Sequence, residues 1–409
     1  MASPPPPSHA ARRRDARWLI RDYALLTAAI ALTAQWVVVH AVLRIPLGPV
    51  ASTVLPGLAI FGAAMLLSWG AELAQLEISQ SLALAALALV AVLPEYAVDM
   101  YLAWTAAKDP AYTAYAAANM TGANRLLIGL GWSSVLLAYW ARRGGRAIHL
   151  KPGQRLELLT LVLATAYAFV IPLKRTLSIV DTVVFIGLFA LYIRRAGRGH
   201  VEDPGLAGPP ERLAFLPRGW RRVVTGLLFL LPAYAIWVSA QPFADGLLEN
   251  ARRLQIEEFV LIQWLAPLAS EMPEFSVAVI FALRNKPEAG LGTLVSSKVN
   301  QWTLLVGLLP LVYALSGGHL HPMVLDDRQV EEFFLTAAQS LLALVVLANL
   351  RFGLSEAVLL LGLFLLQFAF PSPQVRVWLA AGYLAIAAGY LATAGHRRAC
   401  LDLVRFGWR

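Results

Sequence analysis

Two Pro-Glu pairs, 94–95 and 273–274, lie in apolar stretches of this 409-residue chain. A proline inside a helix removes one hydrogen-bond donor and frees the carbonyl four residues earlier, so a glutamate beside it forms an oxygen-rich cation site. Further acids follow at helical spacing: Asp99 lies four residues after the first glutamate, and Glu271 lies three residues before the second. Residues three or four apart share one helix face. The sequence therefore predicts four carboxylates that converge at comparable depth.

Neutral oxygen groups accompany these acids in the same apolar stretches. Asn119 and Asn124 lie in one polar run, Ser270 precedes the second Pro-Glu pair, and Ser297 lies in a small, polar run further on. Such oxygens are the ligands that hard cations prefer. A purely structural alternative is that Arg125 and Lys298 neutralise the acids in an internal salt-bridge cluster that transports nothing.

The elements that position these groups are predicted to be membrane-spanning helices. The chain is 58% apolar and only 14% charged, with a mean hydropathy of +0.63, whereas globular domains are about 25% charged. Nearly uncharged windows of about 20 residues, the length that crosses a bilayer as a helix, recur along the chain. The sequence predicts an all-α polytopic protein with about twelve spans: 22–43, 50–71, 80–106, 112–140, 156–173, 176–193, 222–242, 257–283, 289–316, 331–350, 353–370 and 375–395.

The basic residues predict how these spans are oriented. A cytoplasmic N-terminus assigns 24 of the 34 Lys and Arg residues to the cytoplasm and eight to the other side, which leaves only Arg125 and Lys298 inside spans. The positive-inside rule then places both termini in the cytoplasm of a plasma (inner) membrane protein. We attribute the net charge of +9 to topology and to contact with anionic lipid, and we expect no nucleic-acid partner. The single cysteine, Cys400, excludes intrachain disulfides.

Self-similarity predicts that spans 2–6 repeat as spans 7–11. The Pro-Glu segments correspond, and the stretch that begins at Asp181 resembles the one that begins at Glu356; both of these acids suit helix N-termini. A five-helix unit crosses an odd number of times, so its second copy is inverted, as in secondary transporters. The predicted parts are a basic tail (1–21), an extra helix (22–43), the first repeat (50–193), a cytoplasmic linker (194–221), the second repeat (222–370), an extra helix (375–395) and a tail (396–409).

At these residues the chain resembles the calcium/cation antiporter superfamily, as a divergent member of prokaryotic type. In sodium/calcium and proton/calcium exchangers, two inverted alpha-repeats each pair a Pro-Glu helix with a following helix that bears Gly-Asn and Gly-Ser-Asn signatures. The resemblance implies that Glu95 and Glu274 coordinate the transported cation. It also implies that Asn124 matches the Gly-Ser-Asn asparagine and that Asn119 matches the asparagine of the Gly-Asn step.

The sequence departs from the family pattern at several of these positions. The Thr-Ser before Pro-Glu is replaced by 92–93, Val-Leu, in the first repeat, whereas Ser270 remains in the second. Gly-Ser-Asn becomes Gly-Ala-Asn at 122–124 and Ser-Ser-Lys at 296–298. An ammonium at a ligand position lowers the negative charge that a divalent ion needs, which favours a monovalent ion or proton exchange.

We therefore expect a secondary cation antiporter that exchanges sodium or calcium for protons or sodium by alternating access. Glu95 and Glu274 hold the ion in this interpretation, while Asp99 and Glu271 modulate charge. The alternatives are a transport-dead relative plugged by two basic side chains and an intramembrane enzyme. The second is disfavoured because the chain contains no hydrolase, zinc-helix or prenyl diphosphate motif. No cofactor besides the transported cation is expected, and the sequence does not determine the oligomeric state.

Overall fold

A computed structural model describes residues 9–45, 47–74, 76, 93–196, 206 and 208–407. Apolar runs with few helix-breaking residues give long helices, and short strands lie in the connections between them. The elements are α1 (His9–Val37), α2 (Pro49–Ala74), α3 (Leu93–Ala106), α4 (Ala111–Leu126), α5 (Ser133–Arg143), β1 (Ala147–His149), α6 (Arg155–Ala168), α7 (Val170–Lys174), β2 (Thr176–Leu177), α8 (Ile179–Ala196), α9 (Pro209–Leu213), α10 (Arg218–Leu254), α11 (Glu258–Leu283), α12 (Pro287–Asn300), α13 (Val306–Gly317), β3 (Met323–Val324), α14 (Asp327–Leu347), β4 (Arg351–Gly353), α15 (Leu354–Ala369), α16 (Pro373–Ala392) and α17 (Ala394–Phe406).

Seven helical segments in the described part of the chain are long and apolar enough to cross a membrane. An eighth is added when α11, whose parts 258–272 and 274–283 are inclined by 52°, is taken as one bent span. The all-α polytopic class is thus confirmed. Every predicted span overlaps a described helix, although residues 80–92 of the third lie outside the described residues. The count of twelve spans stays a prediction.

Three boundaries differ from those expected. Helix α1 begins at His9, well inside the predicted tail, and α17 occupies most of the predicted C-terminal tail. Helix α10 has 37 residues, about 55 Å at 1.5 Å per residue, so it is much longer than the roughly 30 Å hydrocarbon core. Its first turns are basic and its final turns carry Arg252 and Arg253, which extends it beyond the apolar window from which the span was predicted.

The two halves repeat the same order of elements. In each half a helix passes through a π-helical segment into a second helix: Leu127–Trp132 joins α4 to α5, and Gln301–Leu305 joins α12 to α13. Each half then contributes a strand, a helix, which the short α7 follows in the first half, a second strand and a further helix. Strand β1 pairs antiparallel with β4, and β2 pairs antiparallel with β3. Both small sheets therefore contain one strand from each half, and they tie the two halves together.

The protein core lies between the halves and includes large side chains with almost no exposed surface, such as Trp132 and Trp302. The helices outside the repeat lie at the periphery: α1 packs on α2, and α16 packs on α14. Helix α4 packs against α11, and α3 packs against α4. This arrangement brings the two Pro-Glu segments and the π-helical segments Leu127–Trp132 and Gln301–Leu305 to the centre of the molecule.

Candidate functional site

The first Pro-Glu pair lies in the opening turn of α3, and the second lies at the bend of α11. A proline in a helix interior causes a kink, as at the bend of α11. The side chains of Glu95, Asp99 and Glu271 are almost fully buried, and Glu274 is partly buried with its Oε2 atom inside. The four predicted carboxylates thus lie in the interior, two from each half.

The four carboxyl groups are electrostatic neighbours. The Glu95 carboxyl lies against that of Glu271, with Asp99 and Glu274 close by. No Lys or Arg of the described residues forms an ion pair within 4 Å of any of the four. Within the described ranges, no three acidic, histidine or cysteine side chains are arranged to hold one metal ion.

Neutral polar side chains accompany the acids in both halves. Asn119 lies beside Asp99, and Ser297 lies beside Glu274. The amide of Asn119 and the Ser297 hydroxyl are buried without a hydrogen-bond partner. Ser270 is also buried, but its hydroxyl donates to the carbonyls of its own helix at 3.2 and 3.3 Å. Among the predicted neutral ligands, Asn119 and Ser297 are thus the two whose side-chain polar atoms make no hydrogen bond with the described residues.

Lys298 and Asn124 contact each other directly across the two halves. The Lys298 ammonium donates to Oδ1 of Asn124 at 2.6 Å and to its backbone carbonyl at 3.3 Å. The same ammonium lies 4.5 Å from the ring centroid of Trp302 and has Glu95 and Glu271 as its acidic neighbours. The amide oxygen of Asn124, predicted as a cation ligand, is therefore occupied by a lysine.

Arg125 contacts a different acid from those expected. Its guanidinium forms a buried ion pair with Glu332 of α14 and donates to Gln367 of α15 at 3.2 Å. Arg376 of α16 also approaches Glu332, at 3.7 Å. We expected Arg125 to neutralise the Pro-Glu acids, and that expectation is wrong, because its ion-pair partner is Glu332. The side chain points from α4 toward α14 because a second buried acid lies there.

Two further polar residues at the site were missed as candidates. Gln301 donates to Glu271 at 2.7 Å, and the hydroxyl of Tyr96 donates to Asn300 at 2.8 Å. Both bonds reach the junction of α12 with its π-helical segment. The signal available in the sequence was an amide pair, 300–301, in an otherwise apolar stretch, immediately after the polar run that contains Ser297.

Asp181 and Glu356 act at helix N-termini, as their sequence positions suggested. Asp181 accepts a hydrogen bond from the Ser178 backbone N–H at 2.6 Å and forms an ion pair with Lys174. Glu356 accepts one from the backbone N–H of Gly353. Both acids stabilise the first turns of α8 and α15 and do not belong to the site.

Buried acids contributed by two repeated halves, each beside a proline, define the class of polytopic cation transporters. The family model described as "Sodium/calcium exchanger protein" matches the chain twice, at residues 49–196 and 224–372. The chain therefore belongs to the sodium/calcium exchanger family. It is an integral membrane cation antiporter and not an enzyme.

Similar solved structures agree with this assignment. A crystal structure of the H+/Ca2+ exchanger CAX is 41% identical with a TM-score of 0.90, and the alignment covers 95% of this chain and 98% of that one. The sodium-calcium exchanger NCX_Mj, at 20% identity and TM-score 0.53, is matched over 79% of this chain and 98% of its own. The Ca2+/H+ antiporter protein YfkE has 15% sequence identity and a TM-score of 0.58, and the alignment covers 89% of this chain and 99% of that one. The last two show a shared fold. No curated protein matches.

Proposed function

We propose that this chain exchanges Ca2+ for protons across the membrane by alternating access. The observation that carries the proposal is the cluster of four interior carboxyl groups, Glu95, Asp99, Glu271 and Glu274, without an ion-paired base among the described residues. The 41% identity to a structure described as an H+/Ca2+ exchanger favours this pair of ions over sodium and calcium.

The charges of the site suit a divalent ion that alternates with protons. Each unpaired charge at the bilayer centre costs about 2.5–3.5 kcal/mol, so four ionised carboxylates cannot remain there without protons or a cation. Lys298 offsets one of the four negative charges and leaves up to three. Either a Ca2+ ion or protons can neutralise such a site, and the binding of one removes the negative charge that would bind the other. That mutual exclusion is what couples the two ions.

Glu95 and Glu274 are the ligands that we assign to the ion, because each directly follows a proline and they come from opposite halves. Asn119 and Ser297 supply neutral oxygens, and Asp99 and Glu271 accept protons in the ion-free state. Ca2+ takes six to eight oxygens, so backbone carbonyls near the two prolines complete the shell. The carbonyl of Ala269 is one of these, because Pro273 cannot donate to it.

The bend in α11 and the two π-helical segments are the elements that we expect to rearrange between the outward- and inward-facing states. π-Helical turns in α-helices occur frequently at functional sites. The second π segment lies directly beside the acids, because Gln301 opens it and donates to Glu271. A small change in the bend of α11 or in the second π segment therefore moves a carboxylate of the site.

Transport in proteoliposomes tests the proposal. With the interior acidic, an imposed proton gradient should drive Ca2+ uptake, and Glu95→Gln or Glu274→Gln should abolish it. Glu249→Gln is the matched control, since this glutamate is half exposed and its ion-pair partner among the described residues is Arg253, one turn away. Uptake that persists in the double glutamine variant would contradict the assigned site.

A transport-dead relative is the second candidate, favoured by the ammonium of Lys298 on the Asn124 oxygen. That candidate requires purified wild-type protein to bind neither Ca2+ nor Na+ in calorimetry and to show no flux under either gradient. Ca2+-dependent thermal stabilisation of the wild type would exclude it.

A further inference from the structure

Asn124 and Lys298 occupy equivalent positions in the two halves. Asn124 lies three residues before the π-helical segment that begins at Leu127, and Lys298 lies three residues before the one that begins at Gln301. Both belong to the last turn of the α-helix that leads into that segment. The local backbone is thus the same, and the residue type is the difference between the two copies.

The two residues also touch each other, at 2.6 Å from Nζ to Oδ1. In a structure with two related halves, a residue contacts its own equivalent only close to the axis that relates them. The strand pairs β1–β4 and β2–β3 exchange under the same relation. The Lys298–Asn124 pair therefore lies at the centre of the molecule, between the halves.

The surroundings of the ammonium are those of a bound monovalent cation. It has an amide oxygen, a backbone carbonyl, an aromatic face at 4.5 Å and two acidic neighbours, Glu95 and Glu271. Oxygen donors, carboxylates and the face of a tryptophan all attract cations. An ammonium carries three donors and no acceptor, so it fills such a place and supplies no ligand to a mobile ion.

We propose that the Lys298 ammonium is a tethered cation that takes the place of one monovalent ion in the site. Lys298 is in this view a specificity-determining residue: it leaves room for one mobile cation and excludes sodium from the position beside Asn124. The inference rests on the proposed exchange function and specifies the selectivity of the same site.

Replacement of Lys298 by asparagine, its equivalent in the other half, is the sharpest test. Lys298→Asn replaces the ammonium with an amide oxygen beside Asn124, next to Glu95 and Glu271. We expect purified Lys298→Asn to gain Na+ binding in calorimetry, tighter by roughly tenfold or more than in the wild type, and Na+ to compete with Ca2+ uptake in proteoliposomes.

The exchanged double variant, Asn124→Lys with Lys298→Asn, is the matched control. It keeps the contact and the ammonium at the axis but moves the lysine to the other half. We expect no gain of Na+ binding in this variant. Lys298→Met, which removes the charge without adding an oxygen, should also bind less Na+ than Lys298→Asn. Size-exclusion elution in detergent verifies that each variant is folded, and Lys298→Gln replaces Lys298→Asn if the latter aggregates.

Equal Na+ binding in the wild type and Lys298→Asn, or an equal gain in the exchanged double variant, would overturn the inference. Failure of the proposed function has a different signature. Wild-type protein would then show no proton-driven Ca2+ uptake, while the Na+ calorimetry on purified variants would still report on the tethered cation.

Discussion

The two halves of the molecule share a backbone plan but differ in how they hold a buried acid. Glu157 of α6 and Glu332 of α14 each lie eight residues after the preceding strand. Glu332 has an ion pair with Arg125 and a second arginine, Arg376, within 3.7 Å. Glu157 has no ion pair among the described residues, and its polar contact is the hydroxyl of Tyr192, at 3.5 Å.

The polar residues near these two acids, Tyr192 and Gln367, also occupy equivalent places in the two halves. Tyr192 and Gln367 each lie sixteen residues after the start of the strand before their helix, and Gln367 accepts from Arg125. The duplicated framework thus fixes where a polar side chain points, and the residue type decides whether it carries a charge. Glu332 of the second half is held by a buried ion pair with Arg125 of the first half, whereas Glu157 forms no ion pair among the described residues. The difference indicates that the Glu332 side is the more rigid, because separating its charges inside the protein is costly.

Among the variants that test this difference between the two acids, Arg125→Met should cause the largest loss of stability. Glu332 is 2% exposed, so loss of the guanidinium removes its closer ion-pair partner and leaves the buried carboxylate with Arg376 alone, at 3.7 Å. Removing one partner of a buried ion pair costs about 3–5 kcal/mol. We expect the midpoint of thermal unfolding in detergent to fall far below that of the wild type.

The double variant Arg125→Met with Glu332→Gln separates the charge effect from packing. The neutral pair should recover most of the lost stability, since no uncompensated charge remains. Equal losses in the single and double variants would mean that the shape of Arg125, which also lies 5.1 Å from the Trp264 ring, matters more than its charge.

A smaller loss is expected at the close helix contacts of the two halves. A Cβ at Gly122 would lie 1.9 Å from the backbone carbonyl oxygen of Gln263, which cannot move aside. A Cβ at Gly292 would meet the amide end of the Gln154 side chain, which can rotate. Overpacking of this kind costs about 1–3 kcal/mol. We expect Gly122→Ala to lower the unfolding midpoint clearly and Gly292→Ala to lower it less; equal shifts would show that the α4–α11 contact can relax.

Much of this architecture could be predicted from the sequence because hydropathy and repetition are local signals. Nearly charge-free windows predicted the helices. The two Pro-Glu pairs indicated both the internal repeat and the family. The positions of Asp99 and Glu271 followed from helical spacing alone. Lys298 could be identified as an unusual residue at a ligand position, since a buried lysine in an apolar run needs a partner.

The choice of partner could not be predicted, because it depends on how distant helices pack. Arg125 is adjacent in sequence to Asn124, yet neighbouring residues on a helix point in different directions. Its acid, Glu332, is more than 200 residues away and was assigned no role. The π-helical segments also escaped prediction, since an extra residue in a helical turn leaves the apolar pattern almost unchanged.

Tyr96→Phe tests a bond that the first half makes and the second does not. The Tyr96 hydroxyl donates to Asn300 at 2.8 Å, whereas Phe275, which follows the other Pro-Glu pair, has no hydroxyl. A typical hydrogen bond contributes about 1 kcal/mol. We expect a modest loss of stability and a slower Ca2+ uptake, measured by unfolding and by initial rates; an unchanged uptake rate would show that this bond does not help to position α12.

Glu157→Gln should have the smallest effect on stability and completes the comparison with Glu332. Since Glu157 forms no ion pair among the described residues, its neutral replacement leaves no opposite charge unpaired, and Tyr192 can still donate to the amide oxygen. We expect a change in unfolding free energy of about 0.5 kcal/mol or less, against several for Arg125→Met. A large loss of stability in Glu157→Gln would indicate a cationic partner of Glu157. Glu157 and Glu332 would then both be held by ion pairs.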